Sequence, residues 1–177
     1  MKEEFKAVQA SEISLLLNSY NDIFSDFDPR NYSVRSLSDD FLNEAKRATV
    51  DKSLKGIDLK FLVPHNKRSL HEEEIIKKRL KEYFKRHYDL VHEEIKTMVQ
   101  QGLLFTLFGI LLMFLAVFIS FRENTIFTKF LFVLLEPGGW FCFWSGLDQV
   151  IFEPKTKKHE LDFYKKMTNC RINFLSY

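Results

Sequence analysis

GLLFTLFGILLMFLAVFISF, Gly102–Phe121, decides how the chain folds. It is a run of about 20 residues without a charge, the length that crosses a hydrocarbon core of about 30 Å. A short polar gap follows, RENT, Arg122–Thr125, and then a second apolar stretch, IFTKFLFVLLEPGGWFCFWSGLDQVIF, Ile126–Phe152. Helices in soluble cores seldom carry apolar residues on every face. The pattern predicts a membrane hairpin of two spans.

On its N-terminal side the hairpin is fed by a charged helix. Ser69 and Glu72 have the spacing of a capping box. Beyond them Ile76, Leu80, Phe84, Tyr88, Val91, Ile95 and Met98 form one apolar stripe among Lys, Arg and Glu. No Pro or Gly intervenes before Gly102. The spacing predicts one continuous helix of about 50 residues, or about 75 Å at 1.5 Å per residue. Further upstream, Glu12–Phe24 reads as a helix capped by Ser11, with Ile13, Leu16, Leu17, Tyr20 and Phe24 on one side. A turn-rich stretch around Pro29 follows, and a second helix should start at Ser38-Asp39 and reach about Lys52. Gly56 breaks the chain. Ile57–Val63 alternates like a strand and ends at Pro64. After Phe152 the chain turns polar, with a short helix expected at Leu161–Met167. RINFLSY, Arg171–Tyr177, alternates again and should pair with Ile57–Val63. The chain thus divides into an N-terminal region at 1–68, the charged helix at 69–101, the hairpin at 102–152 and a tail at 153–177. The expected class is mainly α: a two-span hairpin with a long amphipathic helix and a small cytoplasmic domain of α or α and β structure.

Composition narrows the function. Net charge is +2, and basic residues are mixed with Glu throughout, so direct nucleic-acid binding is not expected. The two cysteines, Cys142 and Cys170, have no CxxC or Cys/His spacing; neither a metal site nor a cofactor is expected. The N-terminus MKEEFKAVQA has no signal-peptide character. Lys77, Lys78, Arg79, Lys81, Lys85 and Arg86 precede the first span, and Lys155, Lys157, Lys158, Lys165 and Lys166 follow the second. The connecting loop offers only Arg122, with Lys129 a turn later. The positive-inside rule then predicts both termini in the cytoplasm and the connecting loop outside.

Two features mark the hairpin itself. In the first span Gly102, Thr106, Gly109, Met113, Ala116 and Ser120 recur at spacings of four and three, and all but Met113 are small. Gly139, Cys142 and Gly146 form a shorter seam in the second. Small residues let membrane helices approach closely. The seams either pack on each other or serve contacts with further copies, and the second use is favoured because one hairpin leaves its polar groups uncovered. Those groups are Glu136 and Asp148, with Pro137 and the following glycines expected to kink or unwind the second span. Glu136 lies either at membrane depth, where ionisable groups mark pathways, or at the outer interface. A ring of hairpins would bury both acids and enclose a pore; the partners expected are the bilayer and further copies of the chain.

No Gly-rich phosphate loop, HExxH or GxSxG is present. His71 beside Glu72, Glu73 and Glu74 reads as a charged first helical turn. Arg86 and His92 have the Arg-x5-His spacing of the arginine–histidine pair in HEPN ribonucleases, but on an unbroken helix the two point about 120° apart. With the segment FSDFDPRNYSVRSLSDDFLNEAKRA, Phe24–Ala48, and the helix-plus-membrane layout, that pair makes the chain resemble the small HEPN-like membrane accessory proteins of type VI-B CRISPR systems. The resemblance implies a homo-oligomeric inner-membrane pore that supports antiphage defence alongside an RNA-guided nuclease. A membrane-anchored ribonuclease using Arg86 and His92 is one alternative, and a non-conducting membrane scaffold is the other.

Overall fold

The computed structural model describes residues 12–50, 57–121 and 125–177. The expected cap at Ser11, the helix end at Lys52, the break at Gly56 and most of the RENT loop lie outside them. The chain falls into two compact units. One is built from residues up to Asp89 together with Glu160–Tyr177, and the other from Leu90–His159.

The first unit is an α/β layer. Its strands are β1 (Glu12–Leu16), β2 (Asp58–Val63) and β3 (Arg171–Ser176). They form one sheet in that order, all parallel. The register sets Leu59 beside Ile13 and Ile172, and Phe61 beside Leu15 and Phe174. Alternation in β2 buries Leu59, Phe61 and Val63, while the residues between them are half-buried on the other face. The predicted pairing of Arg171–Tyr177 with the 57–63 strand is therefore present.

Parallel strands need crossovers, and here those are helical. Between β1 and β2 runs α1 (Asp39–Thr49), which buries Phe41, Leu42, Ala45 and Thr49. Between β2 and β3 run the long α2 (Leu70–Ser120), α3 (Ile126–Ile151) and α4 (Glu153–Thr168). Ile76, Leu80 and Phe84 of α2 are fully buried, so the predicted stripe is a core face over this part of the helix. Aromatic contacts tie the layer together: Phe41 and Phe174 both pack on Phe61, at 5.9 and 5.1 Å, and Phe84 meets Phe163 of α4 edge-on at 6.1 Å.

The helix predicted at Glu12–Phe24 is not formed. β1 occupies its start, and a short 3-10 turn at Tyr20–Ile23 its end. Ile13, Leu17, Tyr20 and Phe24 are buried as that stripe required, but Leu16 is 65 % exposed. In a strand Leu16 falls on the opposite face from Ile13 and Leu15, whereas a helix would have brought it inward. The tail helix is also longer than expected: α4 starts directly after Phe152 and takes in the polar EPKTKKHE segment, with Pro154 tolerated in its first turn.

The second unit holds the apolar part of α2 and all of α3. α2 is a single helix of 51 residues. α3 has 26 residues and is helical straight through Pro137, so of the kink or unwound turn expected there the unwound turn is absent. The fold is mainly helical, and these two helices are long and apolar enough to cross a membrane. Only 17 % and 6 % of their most apolar stretches are buried, which is not how a soluble core helix is placed.

Candidate membrane site

In the second unit the two small-residue seams meet each other. A Cβ on Gly109 would lie 2.5 Å from the backbone nitrogen of Phe143 and 2.8 Å from the carbonyl oxygen of Gly139. On Gly146 it would lie 2.4 Å from both the nitrogen and Oγ1 of Thr106, and on Gly102 2.8 Å from the carbonyl oxygen of Gly146. Gly139 faces Met113 in the same way. The helices touch backbone to backbone, and glycine is what permits it. The Thr106 hydroxyl donates to the Gly102 carbonyl at 2.8 Å, so the seam's polar group is satisfied within its own helix. Ala116 is buried and Ser120 is exposed. The seam glycines are thus occupied inside one chain, and at their level contacts with further copies must use the outward faces.

Those faces hold the ionisable groups. Glu136, Pro137 and Asp148 are all exposed. The contacts fix an antiparallel register: Gly102 lies beside Gly146 and Val150, Gly109 beside Gly139 and Phe143, and Met113 beside Gly139. Carried on by one turn, it sets Glu136 level with about Phe114. That is roughly 18 Å along the helix from Gly102 at 1.5 Å per residue. Asp148 falls level with Gly102 itself, at the N-terminal end of the apolar run of α2. It is two residues from Gly146 and so about 160° around the helix from it. It lines a shallow groove of about 390 Å³ together with Trp144, Leu147 and Ile151.

Arg86 and His92 both lie on the uninterrupted α2 and both are exposed. A continuous helix turns residues six apart by about 120°, so one copy of α2 does not aim them at a common point. Among the described residues no group of His, Cys, Asp and Glu is placed to hold a metal ion.

The first unit contains a buried polar cluster that the sequence did not suggest as a unit. Glu73, 2 % exposed, accepts from Arg68 through Nε at 2.8 Å and Nη2 at 2.9 Å, and from the Tyr20 hydroxyl at 2.9 Å. The Tyr20 oxygen in turn accepts from the Ser69 backbone N–H at 3.0 Å. The Arg68 bonds hold the Glu73 carboxyl below its usual range against the opposing effect of burial. Every group is paired, so the cluster reads as a lock between the Tyr20 turn and the start of α2. Glu73 looked from sequence like one more acid in a charged first turn; only the distant Tyr20 accounts for its burial.

No family model, curated protein or solved structure matches the chain. Its function rests on its own geometry.

Proposed function

We propose that this chain is a two-span membrane protein whose hairpins assemble into a homo-oligomeric ring around a polar path, and that the ring changes membrane permeability. The observation that carries this is that Glu136 is exposed on α3 while the glycine seam is closed; in a two-span hairpin its carboxylate would lie at membrane depth. A charge facing lipid there costs several kcal/mol, and such groups turn instead toward protein or water. The seam between α2 and α3 is already filled and cannot take it. Other copies of the chain supply both the cover and the water-lined interior.

Connectivity supports the two-span topology. β2 and β3 are neighbours in one sheet, and the chain between them contains the whole second unit. A chain that leaves the sheet for the membrane must return to the same side, which requires an even number of crossings. Lys77, Lys78, Lys81 and Arg86 before the hairpin, and Lys155, Lys157 and Lys158 after it, favour the cytoplasm for that side, and the resemblance implies a bacterial inner membrane. The resemblance noted in the sequence supplies the setting: permeabilisation in support of an RNA-guided antiphage nuclease.

The test is the mass of the detergent-solubilised particle, by light scattering with the detergent subtracted, followed by ion flux from liposomes. A closed assembly of many copies that passes ions is expected. A monomer or dimer has too few helices to enclose a path and overturns the proposal. Purified protein should not cleave RNA; cleavage abolished by Arg86→Ala and His92→Ala would instead establish the anchored ribonuclease.

A further inference from the structure

The deep part of α3 gathers groups of one electrostatic kind. Glu136 is exposed there. Pro137 follows it and has no N–H, so the carbonyl of Val133, four residues back, lacks the donor that an α-helix normally provides. Val133 is itself 66 % exposed. One turn further on, Trp140 is 49 % exposed and stacks on Trp144 with ring centroids 6.2 Å apart. Residues four apart share a helix face, so Trp140 neighbours Glu136. A carboxylate, a carbonyl oxygen without its helical donor and the face of an indole all attract cations, and none of them attracts an anion.

The rest of the unit does not offset this. Among the described residues of α3, and of α2 from Met98 onward, the charged side chains are Lys129, Glu136 and Asp148. By the register above, Lys129 falls level with about Phe121, at the outer end of the apolar run. The charge at depth is therefore negative, and Asp148 adds a second acid at the inner mouth. Rings of carboxylates are how cation channels select, whereas anion pores carry Arg or Lys.

We infer that the path selects cations, and that Glu136, repeated once per copy, is the selecting group. This rests on the conducting-ring reading and names what the ring passes. The Val133 carbonyl and the Trp140 ring lie beside it as further cation-attracting surface.

The experiment is reconstitution of the full chain in planar bilayers under a KCl gradient, reading the permeability ratio of K⁺ to Cl⁻ from the reversal potential. Wild type should prefer K⁺ by at least about tenfold, the lower end of what focused charge in a cleft produces. Glu136→Gln keeps the side-chain shape and should bring the ratio close to one with the particle mass unchanged. Asp148→Asn, at the membrane boundary, should lower it less. A conducting ring that prefers Cl⁻, or whose K⁺ preference survives Glu136→Gln, overturns this inference and leaves the conducting ring standing. A ring that passes no ion overturns both. Should Glu136→Gln fail to assemble, wild type and Asp148→Asn decide: a wild-type ratio near one, or loss of the whole K⁺ preference in Asp148→Asn, overturns the assignment.

Discussion

The two units of this chain use the same apolar residue types in opposite ways. In the sheet-bearing unit Leu59, Phe61, Ile76, Leu80 and Phe84 have no exposed surface. In the hairpin unit Phe114, Phe127 and Phe141 are each about 70 % exposed, while from Gly102 onward the buried positions are glycines and an alanine. The first arrangement is what water imposes, because apolar burial drives folding there. The second follows where the surroundings are apolar too, so that large side chains gain nothing by turning inward and close backbone contact holds the helices together. One helix, α2, carries both regimes, and its stripe is filled by large residues in the first unit and by small ones in the second.

The sharpest way to break the comparison is to treat α2 as though it were solvated in the first unit. Leu80→Asp with Phe84→Asp places two charges where exposure is zero. Burying unpaired charge and losing two core side chains costs several kcal/mol or more, enough to unfold a domain of ordinary stability. Circular dichroism and limited proteolysis of the purified chain should show loss of the sheet-bearing unit. A native-like melt would mean the stripe is not a core.

Sequence periodicity revealed the regimes unevenly. The hairpin was legible because an uncharged run of bilayer length fits little besides a membrane span, and β2 was legible because DLKFLV alternates over six residues before Pro64. β1 was not. Five residues with Ile13, Leu15 and Leu16 apolar fit a strand or a helix, and only pairing with β2 decides. The seam residues were legible as small residues at helical spacing, yet not their partner, since the same spacing serves contact within a chain or between chains. The turn expected to unwind at Pro137 stays helical. Proline removes one hydrogen bond and crowds one carbonyl, and the surrounding turns keep enough others to carry the helix through. The Glu73 cluster was hidden because Tyr20 lies 53 residues away.

That cluster is the polar counterpart of the apolar core and gives the next largest effect. Glu73→Ala leaves the Arg68 guanidinium and the Tyr20 hydroxyl without their acceptor in a largely buried place. Removing one partner of such a pair costs about 3 kcal/mol, somewhat less here because Arg68 retains some solvent contact. The pH dependence has a definite sign. The folded carboxyl titrates below its ordinary value of 4.5, so its stabilisation is fully present above that pH and is lost as pH falls through the lower folded value. Thermal melts from about pH 7 down to about pH 3 should show a decline in wild type that is shallower in Glu73→Ala.

Glycine substitutions sharpen the other side of the comparison. Gly109→Val and Gly146→Val would each force a side chain against backbone, where nothing flexible can give way. Overpacking of this kind costs about 1–3 kcal/mol and should separate the helices. Melting of the hairpin in detergent, followed through the fluorescence of Trp140 and Trp144, should report the separation as a lower midpoint in both variants. An unchanged midpoint would mean the seam is not a close contact.

The smallest effect is the most discriminating, because it sets a glycine of the same helix against its neighbours. A Cβ on Gly138 would meet nothing within 4 Å, although Gly139 beside it is enclosed by Met113 and the Gly109 carbonyl. If the seam rather than helix flexibility is what α3 needs, Gly138→Ala removes only backbone freedom. It should then be neutral or stabilise by up to about 1 kcal/mol, the difference in helix propensity between the two residues. If instead α3 works by bending after Pro137, the same substitution stiffens the hinge and should lower ion flux while raising the melting temperature. Measuring both on one preparation separates the two: a higher melting temperature with unchanged flux assigns the glycines to packing, and a higher melting temperature with lost flux assigns Gly138 to motion.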